Sequence, residues 1–218
     1  MAEINAGLGS LAELKEFLLA KSMSSVADTA NDQTIMKIGA GVAGQFGDHC
    51  NRDWDYGEGK VDEFTANRSF IVARQYPLNL TIPLVIERSD ALVGGVQVWT
   101  PIPDAAYNVA AQAGIVYLSG VQGNYLSRIR MTSAGGYWWD GLDANPTPPP
   151  GAARVPHALR LAWLLQCQAL WLVRDDLGTA IAGSSGGSAL LGLSLPGYDL
   201  IPEVRALLSK FIRYGVSG

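Results

Sequence analysis

Histidine and cysteine are almost missing from this chain. Two of each stand among 218 residues, and each scarcity closes off chemistry. Cys50 and Cys167 cannot build the multi-bridge framework of a small secreted domain; both fall in stretches of helical pattern and read as reduced core thiols. No His or Cys pair has the spacing of zinc ligands, so no metal site is expected. Charge is sparse as well. Asp, Glu, Lys and Arg make up 17% of the chain with a formal net charge of −4, which offers no overall attraction to nucleic acid. Long apolar runs are also lacking. The longest, Leu161 to Val173, is interrupted by Gln166 and Gln168 and falls short of the ~20 residues a membrane-spanning helix needs. No basic segment followed by an apolar run opens the chain, so no secretory signal and no membrane partner are expected. No glycine-rich loop ends in Lys-Ser or Lys-Thr to cradle a phosphate, and no cofactor is expected.

What the sequence does have is apolar surface. Hydrophobic residues reach 48%, more than a small domain readily hides, and burial against other subunits is one natural outlet. The pattern starts helical. Ser10-Leu-Ala-Glu13 has the form of a capping box, in which the serine accepts from an orphan amide and the glutamate reaches back to the serine's own amide. Leu11, Leu14, Leu18 and Leu19 follow at helical spacing. After a polar break, Asp28, Thr29 and Asn31 offer caps for a second helix whose stripe is Ile35, Ile38, Val42 and Phe46. Gly39, Gly41 and Gly44 weaken that helix but let another backbone approach it.

From Asp48 to Glu63 the chain turns acidic, with six carboxylates against Arg52 and Lys60, and the period then changes toward two. Residues 64–74, 81–88, 93–100, 114–119 and 125–133 are strand candidates, split by Pro77, Gly94-Gly95, Pro101, Pro103 and Gly123-Asn124. Between Ala91 and Ser127 the one charged residue is Asp104. A free-standing sheet displays charge on its solvent face and edges. This stretch is therefore expected to lie against something, most simply another copy of the chain. Asn145-Pro-Thr-Pro-Pro-Pro-Gly151 reads as a semi-rigid linker closing the insertion. A third helix, apolar almost all round at its centre, is predicted from Pro156 to about Asp176, and a glycine- and serine-rich loop over 178–194. A fourth helix, Pro202 to about Tyr214, places Val204, Leu207, Leu208 and Phe211 on one face. The whole reads as α+β. A four-helix bundle-like core (residues 1–62 and 150–218) is interrupted by an antiparallel β-sandwich or barrel insertion (residues 63–149).

Candidate chemistry fails on geometry. Gly183-Ser-Ser185-Gly-Gly187 fits G-x-S-x-G, but a nucleophile elbow needs a strand before it, and here a helix is predicted. The available bases, His49 and His157, fall near predicted helix ends. Asp53-Trp-Asp55-Tyr-Gly57 opens like a calcium loop, yet glycine is fifth and phenylalanine twelfth where such a loop needs glycine sixth and glutamate twelfth. Arg128 and Arg130 share a strand face and could meet phosphate, although a surface ion pair is the simpler outcome. Tyr137-Trp-Trp139-Asp has the faces of a sugar-stacking platform and equally of an aromatic plug. No catalytic, cofactor-binding or metal residue is assigned. A small serine hydrolase on Ser185 and a glycan-binding module on Trp138 and Trp139 are the enzyme and binding alternatives.

Three segments, in order, resemble the head–tail connector (adaptor) family of tailed bacteriophages. They are Leu11–Leu19 with Asp28-Thr-Ala-Asn-Asp32 and the helix leading through Cys50-Asn-Arg52-Asp-Trp54, like the family's "R-x-[FW]"; Arg154-Val-Pro-His-Ala-Leu-Arg160 opening an apolar helix; and Ile201-Pro-Glu-Val-Arg205 running to Arg213. The resemblance implies a non-enzymatic ring, commonly of twelve subunits, in the virion neck. That ring sits between the portal protein and the stopper or tail-completion protein and extends the DNA channel, through which double-stranded DNA passes without sequence-specific binding. It also implies synthesis in the cytoplasm of a bacterial host. A stopper or tail-terminator protein is the near alternative, though those are dominated by β-barrels. The large insertion and the long Gly/Ser loop depart from the shortest members.

Overall fold

The computed structural model describes residues 7–19, 29–66, 68–90, 92–93, 96–120, 127–138, 148–183 and 199–213. The chain divides into two compact units. One takes in Met1–Cys50, Trp139–Thr147 and Val155–Gly218; the other takes in Asn51–Trp138 and Pro148–Arg154.

The first unit is helical, with α1 (Leu11–Leu19), α2 (Asp32–Cys50), α3 (His157–Gly183) and α4 (Pro202–Leu208). Helix α3 packs against each of the other three, and α1 also packs on α2. The leucine and isoleucine stripes do this work: Leu14, Leu18, Ile35, Val42, Phe46, Val204 and Leu208 are all buried. Each such side chain contributes roughly 1.5–3 kcal/mol by leaving water. Half of the expected capping box forms, since the Glu13 amide donates to Ser10 Oγ at 3.1 Å. The Glu13 carboxylate is taken up by Arg160 of α3, whose Nε donates at 2.9 Å. A full charge across helices outcompetes a neutral amide at the helix's own start.

Other helical expectations change in detail. Helix α3 runs on to Gly183, past the predicted end near Asp176, because Gly178 costs a helix only about 1 kcal/mol and alanine-rich sequence follows it. It is not buried all round within one chain. Leu159, Trp163, Cys167 and Trp171 face inward, whereas Leu172 is 48% exposed. Helix α4 is short and tightens into a 3-10 turn over Ser209–Phe211. The amide of Arg213 then donates to the Cys50 carbonyl at 2.9 Å, satisfying an orphan acceptor at the end of α2. Among the described residues there are four α-helices, the fourth a short one on α3 that ends well before the expected Tyr214. The residue range 184–198, with most of the predicted Gly/Ser loop, lies outside the described residues.

The second unit carries strands β1 (Gly57–Thr65), β2 (Phe70–Val72), β3 (Val85–Ser89), β4 (Leu92–Val93), β5 (Val96–Gln97), β6 (Thr100–Pro101), β7 (Tyr107–Ala110), β8 (Ile115–Leu118), β9 (Arg128–Gly135), β10 (Tyr137–Trp138) and β11 (Ala153–Arg154). An antiparallel sheet in the order β1-β9-β3-β6 lies over an antiparallel sheet β2-β8-β7, and both bury their inner faces in one core. Ile86, Ile129 and Met131 enter that core from the first sheet; Ile71, Val116 and Leu118 enter from the second. No barrel closes among the described residues. The two sheets stay open, so the barrel alternative falls. The single predicted strand over 64–74 breaks into β1 and β2, and β1 begins inside the acidic run. Pro83 holds β3 back to Val85, and Pro101 is accommodated at an edge strand. Strand β7 was not legible, since Tyr-Asn-Val-Ala has little alternation and exists by pairing with β8.

Candidate functional site

Three aromatic side chains gather around the buried cation of Arg52. Its guanidinium carbon lies 3.5 Å from the centre of the Tyr76 ring, 4.3 Å from that of Trp54 and 5.2 Å from that of Tyr137. The chain positions these groups by parallel bridges from Asp53 to Gln75 and from Asp55 to Tyr137. Trp54 and Tyr137 stack with ring planes 16° apart. Arg52 is 4% exposed and donates to the Tyr76 carbonyl. Its Nε has no hydrogen-bond partner, so ring faces take the place of water around the cation. Burial pulls the guanidinium below its ordinary value, with partial compensation from Tyr76 and Tyr137. Burial also pushes the Tyr137 phenol up. The cluster is closed and filled by its own side chains. It is a lock for the start of the β unit, and it accounts physically for the Arg-x-Trp spacing.

A second tie holds the end of the proline-rich segment. Buried Asn79 donates through Nδ2 to the Tyr56 hydroxyl at 2.9 Å and to the Pro150 carbonyl at 2.8 Å, and its Oδ1 accepts from the Thr81 amide and hydroxyl. All four hydrogen-bonding positions of the amide are used. Gly151 then turns with φ of +76°, which places β11 parallel to β10.

Among the described residues, the sequence-nominated groups do not assemble into a reaction centre. Ser185 and Trp139 lie outside the described residues. His49 is exposed in the last turn of α2 and His157 is exposed at the start of α3. Cys50 and Cys167 are both buried, and burial pushes the Cys167 thiol up. Asp53 and Asp55 make backbone bridges beside Arg52 and keep their side chains exposed, and no group of three His, Cys, Asp or Glu among the described residues could hold a metal ion. No helix among them is long and apolar enough to cross a membrane. Arg130 pairs with Glu87 at 2.7 Å and lies 4.4 Å from the centre of the Trp99 ring, while Arg128 stays exposed. Tyr137 is a buried plug and Trp138 is half-buried.

Among the described residues, two outer sheet faces are open to other molecules. On the outer face of β2-β8-β7, one row reads Phe70, Tyr117, Asn108 and the next Val72, Ile115, Ala110. None is charged. Tyr117 is 49% exposed and its ring is tilted against Phe70 at 6.3 Å. On the outer face of β1-β9-β3, Val61, Thr132 and Val85 form one row and Glu63, Arg130 and Glu87 the next. Val61 and Val85 are 55% and 42% exposed. The sequence hinted at the first face through its lack of charge. It gave no sign of the second, whose row is assembled from three distant segments.

The fold is similar to that of chains in gene transfer agent (GTA) particles. A chain in the neck of an empty GTA particle, computed with C6 symmetry, matches at a TM-score of 0.53 and 13% identity, covering 100% of this chain and 96% of that one. A chain in the virion of a native GTA particle matches at a TM-score of 0.54 and 14% identity, covering 95% of this chain and 91% of that one. At such identity the likeness is one of fold. No known protein family and no curated protein sequence matches the chain.

Proposed function

We propose that this chain is a structural, non-enzymatic subunit of a phage-type neck: a head–tail connector that closes into a ring between portal and stopper or tail and extends the DNA channel. The observation that carries this is the end-to-end likeness of fold, 100% of one chain against 96% of the other, to a chain in a particle neck. The sixfold symmetry used for that neck suits a ring of twelve copies as well as one of six. Locally, the uncharged sheet face and the exposed Leu172 of α3 suit a protein whose surface is completed by neighbours. The acidic run supports a conduit role. Asp48, Asp53, Asp55, Glu58 and Glu63 are exposed, and carboxylates along a channel or portal contact would let DNA phosphates pass without holding them. On this reading the protein is made in a bacterial cytoplasm and ends in the virion, with no cofactor and no membrane contact.

The test is native mass of the purified full chain, alone and with the portal of the same genome, followed by imaging of the complex. A ring of defined stoichiometry seated on the portal is expected. A chain that stays monomeric in both conditions overturns the proposal.

A further inference from the structure

Resting on the reading of the chain as a ring subunit, we infer that its β units meet sheet to sheet around the ring. The Phe70–Tyr117 face of one copy seats on the Val61–Val85 face of the next. The inner faces of both sheets are consumed by one core, so these two outer faces point away from each other on the same unit. A closed ring needs two unlike, mutually complementary patches on opposite sides of a subunit, whereas a single foreign partner needs one. The β unit has this pair.

The chemistry of the two faces matches. The first has six outward positions (Phe70, Val72, Asn108, Ala110, Ile115, Tyr117) and no charge to strand against a neighbour. Its polar groups are the Tyr117 hydroxyl and the Asn108 amide, which can donate. The second face offers a Val61–Thr132–Val85 row with two half-exposed valines, bordered by the acceptor carboxylates of Glu63 and Glu87. Arg130, between them, is already paired with Glu87, and exposed Arg128 stands one row further along the same face, away from the apolar row. Apolar rows therefore meet apolar rows, and donors meet carboxylates. Two copies of the first face would pair with each other and leave the carboxylate-bordered face of each uncovered, which ends at a dimer, so a closing ring takes the head-to-tail contact.

The experiment uses the full chain carrying Tyr117→Cys and Val85→Cys together, oxidised under the conditions in which the unmodified chain has ring mass. The native thiols are buried and do not compete. A ladder of cross-linked oligomers is expected from the double variant. Tyr117→Cys alone and Val85→Cys alone should give no ladder, while their mixture should give dimers. Tyr117→Arg and Val85→Glu should each weaken assembly roughly tenfold or more with an unchanged circular dichroism spectrum. Tyr117→Ser serves as the milder variant if the arginine fails to fold. Ring mass without a 117–85 cross-link, or a 117–117 dimer from the single variant, overturns the pairing of faces and leaves the connector reading standing. Monomer mass for the unmodified chain, both alone and with the portal, overturns both.

Discussion

Trp163 Nε1, buried in α3, donates to the carbonyl oxygen of Gly39 in α2 at 2.9 Å. Gly7 closes the same knot, with φ of +105° and no room for a side chain: a Cβ there would stand 2.5 Å from that oxygen. The glycine of α2 is thus the point where three segments meet. Gly41 and Gly44, by contrast, have open space beside them. Trp163→Phe is expected to lower unfolding free energy by about 1–3 kcal/mol, and Gly7→Ala by more than about 1 kcal/mol, since it adds a forbidden conformation to a clash. Gly44→Ala should stabilise slightly. Chemical denaturation of the three variants checks this. Equal stability of Gly7→Ala and the parent would show that the knot is absent.

The cage around Arg52 predicts that arginine and lysine are not interchangeable there. A compact ammonium cannot spread over three ring faces and also reach the Tyr76 carbonyl. Arg52→Lys should cost about 2 kcal/mol, the scale of a desolvated cation–π contact. Thermal unfolding is the measurement, and an unshifted midpoint would remove the lock.

Tyr107 donates from Oη to Asp104 Oδ1 at 2.6 Å. Burial first, and then that carboxylate, push the phenol up to about 12. In the unfolded chain it titrates near ~10, so the fold favours the neutral form. The stabilising contribution is complete below that unfolded value and is lost as pH rises through the folded one. Ultraviolet titration should show a phenol ionising near pH 12 that Tyr107→Phe deletes. A Tyr107→Phe titration curve identical to the parent's would refute the assignment.

Both thiols should be inert while the chain is folded. Cys50 and Cys167 are fully buried, and attack on an alkylating reagent requires an exposed thiolate. Labelling by iodoacetamide, followed by mass, should begin only within the unfolding transition. Full labelling of Cys167 in native buffer would contradict its place in the core of α3.

The sequence by itself determined the helices, because stripes such as Leu14–Leu18 and Ile35–Val42–Phe46 carry their period locally. It also determined the near-absence of charge across 91–127 and the off-register start of the calcium-like loop at Asp53, since those are matters of composition and spacing. Tertiary structure alone decided what long-range pairing controls. Glu13 turned to Arg160 and away from Ser10 because a cation arrived from 147 positions on. Gln166, an interruption in an apolar run, became the group that receives the Ile201 amide and donates to the Asp199 carbonyl at the start of α4. The Arg52 cage and the Val61–Thr132–Val85 row each join residues with no local signal between them. A one-dimensional pattern records which face of an element is apolar, but only the folded register says which faces stand side by side, and the candidate contact surfaces of this protein are made of such neighbours.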